Sequence, residues 1–339
     1  MRPLRFAGVL GLLHGVMDTA TGFAFGSMVF GAGGVDISAV GVLLIGYNTI
    51  AFGLQPVVGL FVDRYKNYRG TVRVGVLLGG VGLACVAVQP YVGFALLAVG
   101  SALFHVAGGA MAAAMSPRKS IAPALFTAPG VVGLGLGFVA GTVHLPLMLP
   151  LVVVLAVLNA TLGTPTTPKA LPPLPRRFAA VVGVLALLAA VMLRSTEWTA
   201  VVNPRYTLVL VVCLAVAAGL GKIVGGYVAD RAGNATTIFA SLALAALSFA
   251  NPNLSRLGLV LGVFFLQMST PIILAEVVAR FPKRPATASG LVLGLAILLG
   301  GIIALGTFRS ALPSSDELIV LLVYVTVCTA AGLWLVRRK

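Results

Sequence analysis

The chain has 339 residues, of which 59% are hydrophobic and only 9% charged, with a mean hydropathy of +1.08. A soluble globular chain carries roughly a quarter charged residues, so this composition excludes a water-soluble domain and makes the bilayer its solvent. The net charge of +15 would suit a nucleic-acid partner in a soluble protein, but here the basic residues stand in short connections between apolar runs, where they report orientation rather than RNA or DNA.

A helical crossing of a hydrocarbon core about 30 Å thick takes about 20 apolar residues, and such runs recur from Leu4 to Val336. The first, 4–30, follows Arg2 and Arg5 and contains His14 and Asp18. It outruns a signal-peptide core and has no small-residue cleavage site at the right place, so it reads as a first span. Further spans are predicted at 38–62, 71–89, 92–115, 120–142 and 146–163, and a second set at 178–196, 206–229, 235–250, 255–279, 286–307 and 317–336. Barrel strands alternate and these runs do not, so helix is the state that satisfies the backbone in lipid. The expectation is an all-α polytopic membrane protein of about twelve transmembrane helices in two pseudo-symmetric six-helix bundles, residues 1–163 and 178–339. The stretch 164–177 between them carries five prolines and ends on Arg176 and Arg177, and it reads as a cytoplasmic linker. Cys85, Cys213 and Cys328 lie in three different runs without CxxC spacing, which suits small core residues and neither a disulfide framework nor a zinc site.

The basic residues are one-sided. Under this assignment the termini (Arg2, Arg5, Arg337, Arg338, Lys339), the linker (Lys169, Arg176, Arg177) and four loops (Arg64, Lys66, Arg69, Arg73; Arg118, Lys119; Arg231; Arg280, Lys283, Arg284) share one side. Only Arg205, Arg256 and Arg309 fall on the other. The positive-inside rule then predicts a multi-pass protein of the inner (plasma) membrane with both termini cytoplasmic.

Gly59-Leu-Phe-Val-Asp63-Arg64 closes the second predicted span and Gly226-Tyr-Val-Ala-Asp230-Arg231 the eighth, with the two aspartates 167 residues apart. Each half therefore carries the same element in the same place, as a duplication would leave it. Gly lets helices approach closely, and an Asp-Arg pair at a helix end can lock to a partner helix in one state and release it in another. Gly59, Asp63, Arg64, Arg69, Gly226, Asp230 and Arg231 are the predicted conformational latch. This G-x-x-x-D-R element resembles the loop motif of the major facilitator superfamily. Gly100-Ser-Ala-Leu-Phe-His105, Arg194-Ser195, and Phe281-Pro-Lys-Arg284 leading into Thr287-Ala-Ser-Gly-Leu-Val-Leu-Gly294 are similar to the fosmidomycin-resistance family within it, over nearly the whole chain. That family continues after the histidine with Pro-Glu or Pro-Gly, where Val106-Ala107 stand here. The resemblance implies proton-coupled export of drugs and other small organic molecules by alternating access, without cofactor. Without a G-x-x-x-x-G-K-[ST] motif or a soluble domain to carry one, the energy must come from an ion gradient.

An ionisable group at mid-bilayer costs at least about 2.5 kcal/mol, so each is a functional candidate. His14 and Asp18 are four apart, hence on one helix face, about 15 to 21 Å from the cytoplasmic end of the first span. Histidine titrates near neutrality, and His14, Asp18 and His105 are the predicted proton-coupling residues. The other reading of His14 and Asp18 is a satisfied polar pair that fixes packing. The superfamily resemblance implies that the first and fourth helices both face a cavity, where His105 could meet them. Arg194, Lys222 and Gln267 complete a predicted substrate site with those three: Arg194 suits a carboxylate, phosphate or phosphonate, or else Glu197 three residues on, and Lys222 either snorkels or finds a cavity partner. Gln267, Ser269, Thr270 and Pro271 suit a bending gate, Glu276 an ion pair with Arg280, and Gly130, Gly133, Gly135 and Gly137 with Pro129 loosely resemble a glycine-proline motif of antiporters.

Central cations outnumber central carboxylates, so the expected substrate is a small organic anion or zwitterion exchanged for protons by a monomer. A proton- or sodium-coupled uptake symporter for a metabolite and a non-transporting membrane receptor or assembly factor stay open. No nucleophile elbow or cofactor loop is present, and His14 with His105 lacks a third close ligand, so neither an enzyme nor a metal site is predicted.

Overall fold

The computed structural model describes residues 3–30, 37–115, 119–163, 178–201, 207–250, 255–307 and 313–337. The proposed linker 164–177 lies outside the described residues, as do Asp36, Arg118, Arg205 and Arg309. Twelve helical stretches occupy the described residues, with ends within a few residues of the predicted runs. We number them α1 (Pro3–Phe30), α2 (Ile37–Asn48, a π-turn Thr49–Gly53, then Gln55–Tyr65), α3 (Tyr68–Val86), α4 (Pro90–Met115), α5 (Ile121–Thr142) and α6 (Met148–Thr161). Then follow α7 (Phe178–Val201), α8 (Leu208–Ala232), α9 (Asn234–Phe249), α10 (Arg256–Gln267 and Ser269–Arg280), α11 (Pro285–Gly290, a π-turn Leu291–Leu295, then Ala296–Thr307) and α12 (Ser315–Arg337).

Among the described residues nine helices are long and apolar enough to cross a membrane. The shorter α6 and α9 have 14 and 16 residues. α1 has the length, at 28 residues, but His14, Asp18 and its threonines lower its hydropathy. The outer faces are apolar, with Leu149, Leu247 and Val209 among the most exposed side chains, as lipid-facing helices require.

The first six helices pack largely on one another, α1 against α5 and α3 against α4 and α6. The last six do the same, α7 against α11 and α12, and α10 against α8 and α9. The two groups meet where α5 crosses α8 and where Gln55–Tyr65 of α2 meets Pro285–Gly290 of α11. α1 and α5 run parallel in register. A Cβ added at Gly11 would strike the Leu125 carbonyl, one at Gly22 that of Leu134, and one at Gly26 that of Phe138. From the other side Gly133 faces the Gly15 backbone and Gly137 that of Thr19, while Gly135 faces Ala215 of α8. The α5 glycines are therefore where small residues let helix backbones touch.

Three helices are broken where the groups meet. The π-turns of α2 and α11 contact each other, and such turns widen a helix by one unpaired residue. α10 is interrupted at Met268, because Pro271 has no N–H to give the Gln267 carbonyl.

Candidate functional site

Beside these breaks lies a cavity of about 230 Å³ lined from both groups of helices, by His14, Asp18 and His105 on one side and Arg194, Lys222 and Gln267 on the other. All six predicted site residues therefore meet at one cavity. His14 is on α1 and its ring sits over Gly130 of α5, where a Cβ would come within 2.6 Å of its Cε1. Its Nδ1 lies 2.8 Å from the Phe126 carbonyl. A carbonyl only accepts, so Nδ1 carries the hydrogen and Nε2 is directed 3.1 Å from Asp18 Oδ2. On α4, His105 is held in the same way, with Nδ1 2.8 Å from the Ser101 carbonyl and Nε2 3.6 Å from Asp18 Oδ1.

Two imidazole nitrogens thus converge on one carboxylate. With both rings singly protonated at Nδ1, three lone-pair donors would face one another, so a positive charge belongs between them. The rings stand edge to face with centroids 4.5 Å apart, and Phe104 and Phe126 close the apolar side of His14. Little water reaches the group, since the side chains of His14 and Asp18 are 7% and 16% exposed.

The sequence expectation that the two histidines have no third close ligand is corrected. His14, Asp18 and His105 offer ligand atoms that all lie within 4.8 Å of one another. Helical periodicity put Asp18 beside His14, and only the packing of α4 on α1 brings His105 to the same carboxylate. Such a set has the composition of a small metal site, and a proton satisfies it with half the charge of a dication. Lower charge suits a cavity that also holds Arg194 and Lys222.

Across the cavity Arg194 donates from Nη1 to Gln267 Oε1 at 3.0 Å, and the Thr270 hydroxyl donates to the same oxygen at 3.1 Å. The amide at the α10 break therefore holds the guanidinium in place. Lys222 donates to the Thr127 carbonyl at 3.3 Å, from α8 to α5, and so bridges the two groups instead of snorkelling. Glu197 is fully buried and neither of its carboxylate oxygens has a hydrogen-bond partner among the described residues. The sequence offered it as an alternative partner for Arg194, whose Nη1 is instead hydrogen-bonded to Gln267. Thr21, Tyr47, Asn48, Ser101, Ser195 and Trp198 also line the cavity. Ser101 could have been found from its position four before His105, but nothing in the local sequence marks Tyr47.

The repeated motif joins the two groups of helices at helix ends. Asp63, at the end of α2, accepts from Ala286 N (2.9 Å), Thr287 N (2.8 Å) and Thr287 Oγ1 (2.7 Å) at the start of α11, and from Tyr68 Oη within its own group (2.8 Å). Asp230, at the end of α8, accepts from Ser120 N (2.6 Å) and Ile121 N (3.3 Å) at the start of α5. Each carboxylate caps the free amides of a helix in the other group, where the helix dipole also favours negative charge. Gly59 and Gly226, one turn earlier, let the backbones close: a Cβ at Gly59 would sit 2.6 Å from Thr287 Cα, and one at Gly226 2.8 Å from the Ser120 carbonyl oxygen.

The arginines do not share in this, which corrects the expected Asp-Arg latch. Arg64 is exposed, Arg231 stacks 3.5 Å from the centroid of Tyr227, and Arg69 donates to the Leu162 carbonyl at the end of α6. An arginine cannot accept, and the bonds that join the helices come from backbone amides and the Thr287 hydroxyl, donors that call for a carboxylate. Glu276 pairs with Arg280 at 3.2 Å, as expected.

No protein-family model and no curated protein matches the chain. Solved structures do. FucP, a major facilitator superfamily transporter crystallised in an outward conformation, aligns with a TM-score of 0.72 at 14% identity, over 99% of this chain and 98% of that one. A variant of the E. coli fucose:proton symporter FucP aligns with a TM-score of 0.70, again at 14% identity and with the same coverage. The chain has the major facilitator fold.

Proposed function

We propose that this chain is a secondary active transporter that moves a small organic anion or zwitterion by alternating access, coupled to protons. The observation that carries the reading is the cavity itself: a half-buried carboxylate between two orienting histidines faces Arg194 and Lys222, and two further carboxylates cap helices of the opposite group. In this reading residues 1–163 and 178–339 form two six-helix bundles of a twelve-span monomer, joined by 164–177. The locked end is cytoplasmic, because the one-sided basic loops lie there, and the state described has that gate shut. Likeness to transporters of the same fold supports this over an enzyme.

His14, Asp18 and His105 hold the coupling proton. Arg194, positioned by Gln267, and Lys222 hold the negative end of the substrate. The resemblance in the sequence implies antiport and efflux, as in antibiotic resistance. Cavity charge supports the opposite sense for a pure anion. A proton on the cluster raises the positive potential around Arg194 and Lys222, so proton and anion assist each other's binding, and ligands that bind cooperatively travel together. Antiport instead requires competition, which a zwitterion supplies when its ammonium takes the place of the proton on Asp18.

Proteoliposomes with an imposed pH gradient separate the readings. Proton movement with the solute means symport, and movement against it antiport. Active protein with solute flux and no proton movement would remove the coupling claim, and Asp18→Asn is expected to uncouple either mode.

A further inference from the structure

Tyr47, Thr21 and Ser101 play no part in the site as read from the sequence, yet with His105 they form a row of polar groups that ends on Asp18, with hydrogen bonds between Thr21 and Tyr47 and between Ser101 and His105. Thr21 Oγ1 donates to the Met17 carbonyl at 3.3 Å, which commits its hydrogen. The contact between Thr21 Oγ1 and Tyr47 Oη, 3.2 Å, must then be donated by the tyrosine. The Ser101 side chain lies beside Tyr47 Oη, which, with its own hydrogen spent on Thr21, is left to accept. Ser101 Oγ in turn lies 3.1 Å from His105 Nδ1, the nitrogen that carries a hydrogen. All donors therefore point one way, from His105 through Ser101 and Tyr47 to Thr21.

Every member is buried: Thr21, Tyr47, Ser101 and His105 are 3%, 7%, 2% and 6% exposed. The Tyr47 ring is held edge to face against Phe25 and Phe94, with centroids 5.3 and 6.4 Å away. Tyr47 stands sixteen residues before Asp63 on α2, about 24 Å from the locked end at 1.5 Å per residue. Asp18, by its register with α5, stands about 16 Å from that end. The chain therefore climbs from the carboxylate away from the lock.

We propose that Ser101 and Tyr47 form a proton path between Asp18 and the side of the cavity remote from the locks, separate from the substrate's own position between Arg194 and Lys222. This rests on the reading of Asp18 as the proton site. For release, protonated Asp18 gives its hydrogen to His105 Nε2, and His105 Nδ1 gives its hydrogen to Ser101 Oγ. Ser101 passes its own hydrogen to Tyr47 Oη, and Tyr47 passes its own to water in the cavity. Each relay group gains one hydrogen and loses one, so one proton leaves Asp18, one appears in the cavity, and no charge is left in between. Loading reverses the order. The charged and titratable groups facing Asp18 are His14 on its own helix, His105 of α4, Tyr47 of α2 and Lys222 of α8, with Arg194 of α7 beyond Lys222.

The test needs no substrate. A light-released caged proton is given to the purified protein, and the infrared band of the protonated Asp18 carboxyl, identified by its loss in Asp18→Asn, is followed in time. Tyr47→Phe keeps the ring and Ser101→Ala keeps the helix. Both are expected to slow the band's appearance at least about tenfold with its amplitude unchanged. Unchanged rates in both variants overturn the path, since protons then reach Asp18 directly from cavity water. Lost amplitude overturns it as well, since the residues then only support the site. If the native protein gives no Asp18 band, the proton-site reading itself fails, which is distinct from either result.

Discussion

Replacing Asp63 and Asp230 one at a time should separate the two groups of helices unequally at these contacts. Asp63 takes three hydrogen bonds across to α11 and Asp230 two across to α5, the second of them long at 3.3 Å. A hydrogen bond to a charged group contributes about 1.5–3 kcal/mol and a neutral one about 0.5–1.5, so asparagine gives up about 1 kcal/mol per bond. Asp63→Asn then weakens the closed state by about 3 kcal/mol and Asp230→Asn by about 1.5, or about 100-fold and tenfold in the closed-to-open ratio. The bond from Tyr68 to Asp63 stays within one group and does not count.

Spin labels at Lys66→Cys and Lys283→Cys, both exposed and on opposite sides of the Asp63 lock, report the opening by double electron–electron resonance. Cys85, Cys213 and Cys328 are replaced by alanine in that background. A longer-distance population should grow in both variants and be larger in Asp63→Asn. Opening by Asp230→Asn that equals or exceeds that of Asp63→Asn, or no opening in either, would refute the assignment of the locks.

Three further outcomes follow from named contacts. Gly130→Ala drives a methyl into the His14 ring and should cost about 1–3 kcal/mol of stability, while Gly8→Ala, which meets nothing within 4 Å, should cost none; thermal unfolding in detergent compares them. Arg194→Gln should lower the affinity for organic anions at least about tenfold without rescue by Arg194→Lys, because an ammonium lacks the planar fork; a thermal-shift series against small carboxylates and phosphonates measures it, and rescue by lysine would contradict the assigned role. Pro271→Ala returns an amide donor to the Gln267 carbonyl and should stabilise α10 by about 1–3 kcal/mol while slowing transport, read as a higher Tm and a lower flux in proteoliposomes.

Much of the site was visible before any coordinates because lipid penalises stray polarity. In a chain with 9% charged residues, His14, Asp18, His105, Arg194 and Lys222 stand out within apolar runs, and all five line one cavity. Tyr47 and Thr21 did not stand out, since hydroxyl groups are common in membrane helices and reveal a role only through their partners. The latch was legible in position but not in chemistry. The repeat located Asp63 and Asp230, whereas their partners are backbone amides of Ala286, Thr287, Ser120 and Ile121, which every sequence has and none advertises.

By itself, then, the sequence determined the solvent, the helical state, the approximate ends of the helices and the duplicated aspartates, all of which follow from local hydropathy and spacing along the chain. Tertiary structure alone decided that His105 reaches Asp18 across 87 residues, that Arg194 is tied to Gln267 rather than Glu197, and that Lys222 spans the two groups of helices. Those contacts depend on which helix faces are turned toward one another. Glycine-lined packing such as that of α1 on α5 sets those faces, and a helix that is apolar on nearly every side carries too little periodicity to declare them.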